Sequence, residues 1–231
     1  VALNPQKGNM YEFVTHTWNP IKGLCEHDCS YCYMKRYPLK AVRLDSADLQ
    51  TNLDPDGKDP QKNIFVGSST DMFATAIPSF WISKVLSQCK KYNNAYLFQS
   101  KNPQRFLQFI NQSPPISIFC TTMESNRFYP SYMGKSPDPK YRSAAMVEVH
   151  QALLKTMVTI EPIMEFDLDP FVALLEPIHP EQINIGVDTM DAGLPTPTKQ
   201  HVMALVAELE KFTKVHIKEN MYNYFTKGRR K

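Results

Sequence analysis

Seven short runs of β-branched and aromatic residues alternate with helical stretches, and this alternation limits the possible folds more than any other feature. The runs are Glu12–Trp18, Asn63–Ser68, Ala95–Ser100, Ser117–Thr122, Met157–Glu161, Gln182–Val187 and a short Val215–Lys218. Helical patterns fall between them at Ser79–Lys91, Pro103–Asn111, Ala144–Lys155, Pro170–Leu175 and Thr198–Phe212. The last is the clearest, with Val202, Leu205, Val206, Leu209 and Phe212 at helical spacing and Thr198 placed as its N-cap. Ser79 and Asn102-Pro103 read as similar starts. Strands this short and continuously apolar belong to a parallel sheet covered on both faces. The pattern alone fits an open doubly wound sheet and a barrel equally well.

The first run leads straight into Cys25, Cys29 and Cys32, a C-x3-C-x2-C spacing. Three thiolates on one loop can hold three irons of a [4Fe–4S] cluster, which normally takes four thiolates. No fourth cysteine lies nearby. One iron is then left open to bind a small molecule, which turns an electron-transfer group into a reaction centre. Two other readings exist. A zinc site would take a fourth ligand from His16 or His27, and disulfides would need an oxidising compartment. Zinc loops usually pair a C-x2-C with a distant second pair, whereas Cys89 and Cys120 are lone residues.

A chain of 231 residues, 42% of them hydrophobic, suits one domain spanning 1–231 with a sizeable core. There is no run of 18 apolar residues, so no membrane span is expected. No signal peptide is visible at the N-terminus. Five cysteines, an odd number, point to reduced thiols and a cytoplasmic location. The net charge of +3 is unevenly spread. Residues 211–231 carry seven Lys and Arg against Glu219 alone, and Lys35, Arg36, Lys40 and Arg43 follow the cysteine loop. Basic groups of this kind draw phosphates and hence nucleic acid, although a solvated tail has the same composition.

Two stretches break the alternation. Residues 44–62 hold Asp45, Asp48, Asp54, Asp56 and Asp59 and read as a mobile loop without the ligand spacing of a calcium site. Residues 125–141 set Phe128, Tyr129, Tyr132 and Tyr141 among Arg127, Lys135 and Lys140. That mixture suits stacking on a nucleobase, or simply a packed surface loop.

The cysteine spacing, with Tyr31 before the last Cys and Tyr33 after it, resembles the signature of the radical S-adenosylmethionine (SAM) superfamily. Thr17-Trp18-Asn19-Pro20, Ser69-Thr70-Asp71-Met72-Phe73, Thr159-Ile160-Glu161-Pro162 and His216-Ile217-Lys218 are similar to a phage-associated radical SAM family of unknown function. Cys29-Ser30-Tyr31-Cys32-Tyr33 also resembles the spore photoproduct lyases, which act on thymine in DNA. The resemblance implies a partial (β/α)6 barrel whose cluster loop follows the first strand. It implies Cys25, Cys29 and Cys32 as cluster ligands and catalytic centre, with SAM on the open iron. The electron donor would be a flavodoxin or ferredoxin, and the location the host cytoplasm for a phage-encoded protein.

In such a barrel the polar residues at strand C-terminal ends form the site. SAM must be gripped at its amino group, carboxylate, ribose and adenine. Ser68, Ser69 and Asp71 are placed to accept from the methionyl ammonium. Ser100 and Lys101 follow, with Lys101 set to neutralise the methionyl carboxylate. Thr121, Thr122 and Glu124 suit ribose hydroxyls, and Glu161 a ribose or a substrate amine. Asp188 is a further acid at the mouth. Tyr31 and Tyr33 fall near the adenine by analogy. Cys120 reads as a buried thiol or as a hydrogen-atom donor to a product radical. The leading functional expectation is modification of a nucleic-acid base, with a thymine derivative in phage DNA as the specific form, by rearrangement or carbon–carbon bond formation. Alternatives are a radical SAM enzyme acting on a small metabolite or peptide, and a zinc-stabilised nucleic-acid-binding module without catalysis.

Overall fold

A computed structural model describes residues 3–6, 11–38, 40–54, 57, 62–222 and 224. Seven strands run parallel in one sheet: β2 (His16–Trp18), β5 (Asn63–Val66), β6 (Ala95–Ser100), β7 (Ser117–Thr122), β8 (Lys155–Ile160), β9 (Gln182–Ile185) and β10 (Lys214–Ile217). A two-residue strand, β1 (Asn4–Pro5), pairs antiparallel with β2 at one edge. A small hairpin of β3 (Ile21–Lys22) and β4 (Arg43–Leu44) flanks the cysteine loop. The helices are α1 (Ser46–Leu49), α2 (Ser79–Cys89), α3 (Pro130–Met133), α4 (Pro139–Gln151), α5 (Leu168–Leu175) and α6 (Lys199–Leu209).

Two observations separate the barrel reading from the doubly wound one. The parallel strands lie in chain order, β2-β5-β6-β7-β8-β9-β10, with no reversal. A doubly wound sheet reverses its order at a switch point. The four longer helices, α2, α4, α5 and α6, also share one face of the sheet. Ile64, Val66, Phe98, Phe119, Val158, Ile160, Ile183 and Ile185 pack in one core with the buried faces of α2, α4, α5 and α6. Successive strand residues point to opposite faces. The opposite face therefore carries Phe65, Leu97, Cys120 and Met157, which form a separate small core with Tyr11, Val14, Phe13 and Ile118. The N-terminal segment thus plugs the inside of a curled sheet whose edges are β1 and β10.

The strand expectations hold closely. The Ala95–Ser100 and Ser117–Thr122 runs match their strands residue for residue. The first run narrows to His16–Trp18. Thr198 caps α6, its side chain accepting from His201 N. Other helical expectations shift. Pro103–Asn111 forms two 3-10 turns, Pro103–Gln108 and Ile110–Gln112, rather than an α-helix. Asn102 does not cap that segment; its amide donates to Phe73 O and Thr75 Oγ1 instead. Ser79 is the first residue of α2, and Pro78 stands at the cap.

Residues 44–54 are not the mobile loop expected. Asp45 caps α1 by accepting from Asp48 N. Asp48 is buried against Lys22 at 2.5 Å. Trp18 Nε1 donates to Asp48 O, and Leu53 is fully buried. Asp56, Asp59 and the basic tail residues Lys227, Arg229, Arg230 and Lys231 lie outside the described residues. Among the described residues no helix is long and apolar enough to cross a membrane.

Leu153, just past the end of α4, takes a left-handed backbone (φ +61°) with its side chain 94% exposed. An L-residue is strained there and this side chain gains no burial in return. Leu153→Gly is expected to stabilise the fold by up to about 1 kcal/mol, read as a higher urea midpoint with unchanged slope.

Candidate active site

A cavity of about 720 Å³ opens at the C-terminal ends of the strands, where a barrel of this winding carries its chemistry. Cys25, Cys29 and Cys32 all line it, with His27, Tyr31 and Tyr33 from the same loop. Ser68, Ser69, Thr70 and Asp71 follow β5, Gln99 and Ser100 end β6, and Lys101 follows it. Thr122, Glu161, Asp188 and Lys218 complete the wall, and Tyr11 reaches it from the N-terminal segment.

The loop is held by a brace that the sequence does not announce. Residues 125–141 are not a free clamp. Ser30 N donates to Tyr132 O, Lys135 N to His27 O, and Cys29 Sγ to Met133 O. Tyr129 and Tyr132 anchor the brace to Glu165 O and Gly193 O. Gly134 sits at φ +60°, ψ −130°, and a Cβ there would lie 2.1 Å from His27 O. Only glycine permits that approach. Phe128 and Tyr141 remain exposed.

Beneath the loop is a buried charge network. Glu124 is fully buried; it accepts from Arg142 Nη1 at 2.7 Å, from Lys101 Nζ at 2.5 Å, and from the Tyr31 hydroxyl. Lys101 Nζ also donates to Tyr31 Oη at 3.1 Å and sits over its ring. Arg142, itself fully buried, donates further to Thr122 O and Pro137 O. Burial alone would raise the Glu124 pKa, but Arg142 and Lys101 outweigh it and hold the carboxyl at about 2. Burial, then Glu124, pushes the Tyr31 hydroxyl well up.

A second buried carboxylate positions the loop from the other side. Asp71 accepts from His27 Nε2 at 2.8 Å, Ser100 Oγ and Lys101 N at 2.9 Å each, and Phe73 N. Those bonds outweigh the burial penalty and keep it below the usual carboxylate range. Across the cavity, Lys218 Nζ donates to Glu161 Oε2 at 2.6 Å and lies over the Tyr11 ring, while Asn220 donates to Oε1. Gly186 makes room for Glu161, since a Cβ there would come within 2.6 Å of Oε1. Tyr11 donates to Gln99 Oε1 and packs with the fully buried Cys120. Burial pushes the Cys120 thiol far above its ordinary range.

The expected site residues therefore divide. Cys25, Cys29, Cys32, Tyr31, Tyr33, Ser68, Ser69, Asp71, Ser100, Lys101, Thr122 and Glu161 meet at one cavity. Thr121 and Glu124 do not reach it: Thr121 is fully buried and bonds Ser100 O, and Glu124 is closed in by its three partners. Asp71 is committed to the loop rather than open to an ammonium. Asp188 accepts from Met190 N and Ala192 N of its own turn. Tyr33 donates to Ser68 O, bridging the cysteine loop to the β5 turn. Sequence reasoning missed Arg142, Tyr11 and Lys218 as site residues, and it considered His27 only as a zinc ligand. Arg142 had a signal: with Ala145, Met146 and Val149 it falls on the buried stripe of α4, where a charge must have a partner.

The loop's chemistry suits a cluster. His27 Nδ1 and Ser30 Oγ are buried with no partner among the described residues, and both belong to the segment between the cysteines. Buried polar atoms seldom stay unpaired. Burial first, then Asp71, pushes the Cys25 thiol up to about 12, and burial raises Cys29 as well. A metal bound there would have to displace those protons. Among the described residues no three His, Cys, Asp or Glu side chains converge on a single ion. His16 lies on β2 and bonds Thr15 Oγ1.

No protein-family model matches the sequence, and no curated protein does. Solved structures do match. A cysteine-to-serine mutant of spore photoproduct lyase superposes with a TM-score of 0.70 at 12% identity, covering 94% of this chain and 81% of that one. A double mutant of the same lyase, with bound AdoMet and dinucleoside spore photoproduct, gives 0.68 at 12% identity, with 91% and 78% covered. SuiB from Streptococcus suis, bound to precursor peptide SuiA, gives 0.64 at 8% identity, covering 90% of this chain and 50% of SuiB. The chain therefore shares the α/β fold of these proteins.

Two outcomes follow from the buried groups. Gly134→Ala is expected to loosen the cysteine loop, seen as faster hydrogen exchange over 25–32 and faster thiol alkylation at Cys29. Glu124 is ionised in the fold down to about pH 2, against an ordinary value of 4.5. Its stabilisation is full above pH 4.5 and is lost as pH falls through the folded value, on the order of a few kcal/mol. A Glu124→Gln chain is expected to be less stable at neutral pH and to lose less between pH 4.5 and 2, read by urea unfolding across that range.

Proposed function

We propose that the chain is a radical SAM enzyme. Cys25, Cys29 and Cys32 would hold a [4Fe–4S] cluster, and SAM would occupy the same cavity. The observation that supports this best is three cysteines on the wall of one cavity at the strand C-terminal ends, in the fold of a lyase structure that contains AdoMet. Bound there, the cluster would supply the electron for reductive cleavage of SAM and so hydrogen-atom abstraction from the substrate, with a flavodoxin or ferredoxin as the electron donor.

The chain's own residues have separable tasks. Lys101 uses two ammonium hydrogens on Glu124 and Tyr31, which leaves one for the methionyl carboxylate. Ser68 and Ser69, tied to Asn19, offer oxygens to the methionyl ammonium. Thr122 takes the ribose side. Tyr33 borders the adenine and covers the loop. On the far wall Tyr11, Gln99, Glu161 and Lys218 face the substrate.

For the substrate we favour a nucleic-acid base, with a modified thymine in phage DNA as the specific form. Lys35 and Arg36 at the cavity wall supply cations for phosphate, and a lyase of this fold binds a dinucleoside photoproduct. A peptide or small metabolite is the second reading, favoured by the fold's likeness to SuiB with its precursor peptide.

Anaerobic reconstitution tests the class. About four irons per chain, a brown colour, and 5′-deoxyadenosine formed with dithionite and SAM are expected, the product disappearing in Cys29→Ala. A colourless protein with stoichiometric zinc and no 5′-deoxyadenosine would overturn the proposal. Gel-shift binding to DNA that weakens steeply with salt is expected for the base substrate. No binding at low salt would leave the peptide or metabolite reading.

A further inference from the structure

We infer that Lys101 and Glu124 act as an electrostatic pair that sets the reduction potential of the cluster held by the cysteine loop. This rests on the function proposed above. Glu124, Lys101 and Arg142 form one buried group in which two cations share a single carboxylate, so the group carries a net positive charge. Tyr31, the third partner, lies in the loop between Cys29 and Cys32. The group therefore touches the loop itself, and Arg142 also bonds Met133 Sδ while Cys29 Sγ donates to Met133 O.

The sign of the effect follows from charge. A four-iron cluster on three thiolates is an anion, and reduction adds one more negative charge. A net cation buried beside it favours the reduced form, because charges in a dry interior interact far more strongly than in water. Charge and hydrogen bonds around the sulfurs are the levers a protein has on such potentials. The field is lopsided. The anion Asp71 is bonded to His27, two residues past Cys25, while the net cation meets the loop at Tyr31, between Cys29 and Cys32. Arg142 is fixed by five bonds to Glu124, Thr122, Pro137, Ser136 and Met133 and is fully buried. Lys101 is the adjustable member, with its side chain 16% exposed on the cavity wall.

A purely structural role would make every substitution harmful in the same direction; an electrostatic role gives opposite signs. Lys101→Met removes one positive charge and leaves the group neutral, so the midpoint should move to more negative potential. Glu124→Gln removes the negative charge and leaves two cations, so the midpoint should move to more positive potential. Lys101→Arg keeps the charge and should sit near the wild type. The measurement is an EPR-monitored redox titration of the reconstituted chain without SAM, on samples matched for iron, sulfide and melting temperature.

Opposite shifts in Lys101→Met and Glu124→Gln support the inference. If Glu124→Gln fails to hold iron, Lys101→Met against Lys101→Arg decides it: a negative shift in the first only supports it. An unmoved midpoint in Lys101→Met, or equal shifts in Met and Arg variants, overturns it while leaving the proposed function standing. A wild-type chain that takes up no iron overturns both.

Discussion

Glu124 is the point on which the site hangs. It stands two residues past the end of β7, yet it binds Lys101 from the end of β6, Arg142 from α4 and Tyr31 from the cysteine loop. A carboxylate this deeply buried is tolerable only when each oxygen is paired. Those pairings leave the strand ends, the helix and the loop little freedom relative to one another. Removing one partner would leave a buried donor or acceptor unpaired, which is why the arrangement is rigid rather than merely attractive.

A second restraint comes through backbone. The residues between β7 and α4 would otherwise be a long exposed insert. Instead they lay carbonyls and amides against the cysteine loop, with Gly134 allowing the contact to His27 O. Asp71 closes the other side by joining His27 to Ser100 and Lys101 N. The cysteines are thus placed from β6, β7 and the β5 turn, not only from the strand they follow. The cavity that results has one wall built around thiols and another built around Tyr11, Glu161 and Lys218.

Much of the fold was legible. Apolar strand runs of four to seven residues stood out because both sheet faces are covered, and α6 was clear from its stripe and its Thr198 cap. Pro103–Asn111 misled because its apolar spacing is satisfied by 3-10 turns, with Arg105 buried and donating to Ala74 O and Ile77 O. Placing the start of α4 at Ala144 hid Arg142, since Pro139 at the first turn is itself a helix-starting signal. The strand-end rule brought out Lys101 and Glu161 at the cavity, but it could not tell a residue that faces the cavity from one such as Thr121 that turns away.

By itself the sequence determined the parallel αβ alternation, the three-cysteine loop after the first strand and the crowd of polar residues at strand ends. These are local facts, set by side-chain period and by spacing along the chain. Whether the sheet winds as a barrel was decided by tertiary structure, through α2, α4, α5 and α6 packing on one face while Tyr11 and Phe13 fill the other. So was the division of the polar residues into those that face the cavity and those that only hold it. The physical reason is that a carboxylate's role depends on which cations and donors the fold brings within about 3 Å of it, and for Glu124 those partners stand 18, 23 and 93 residues away.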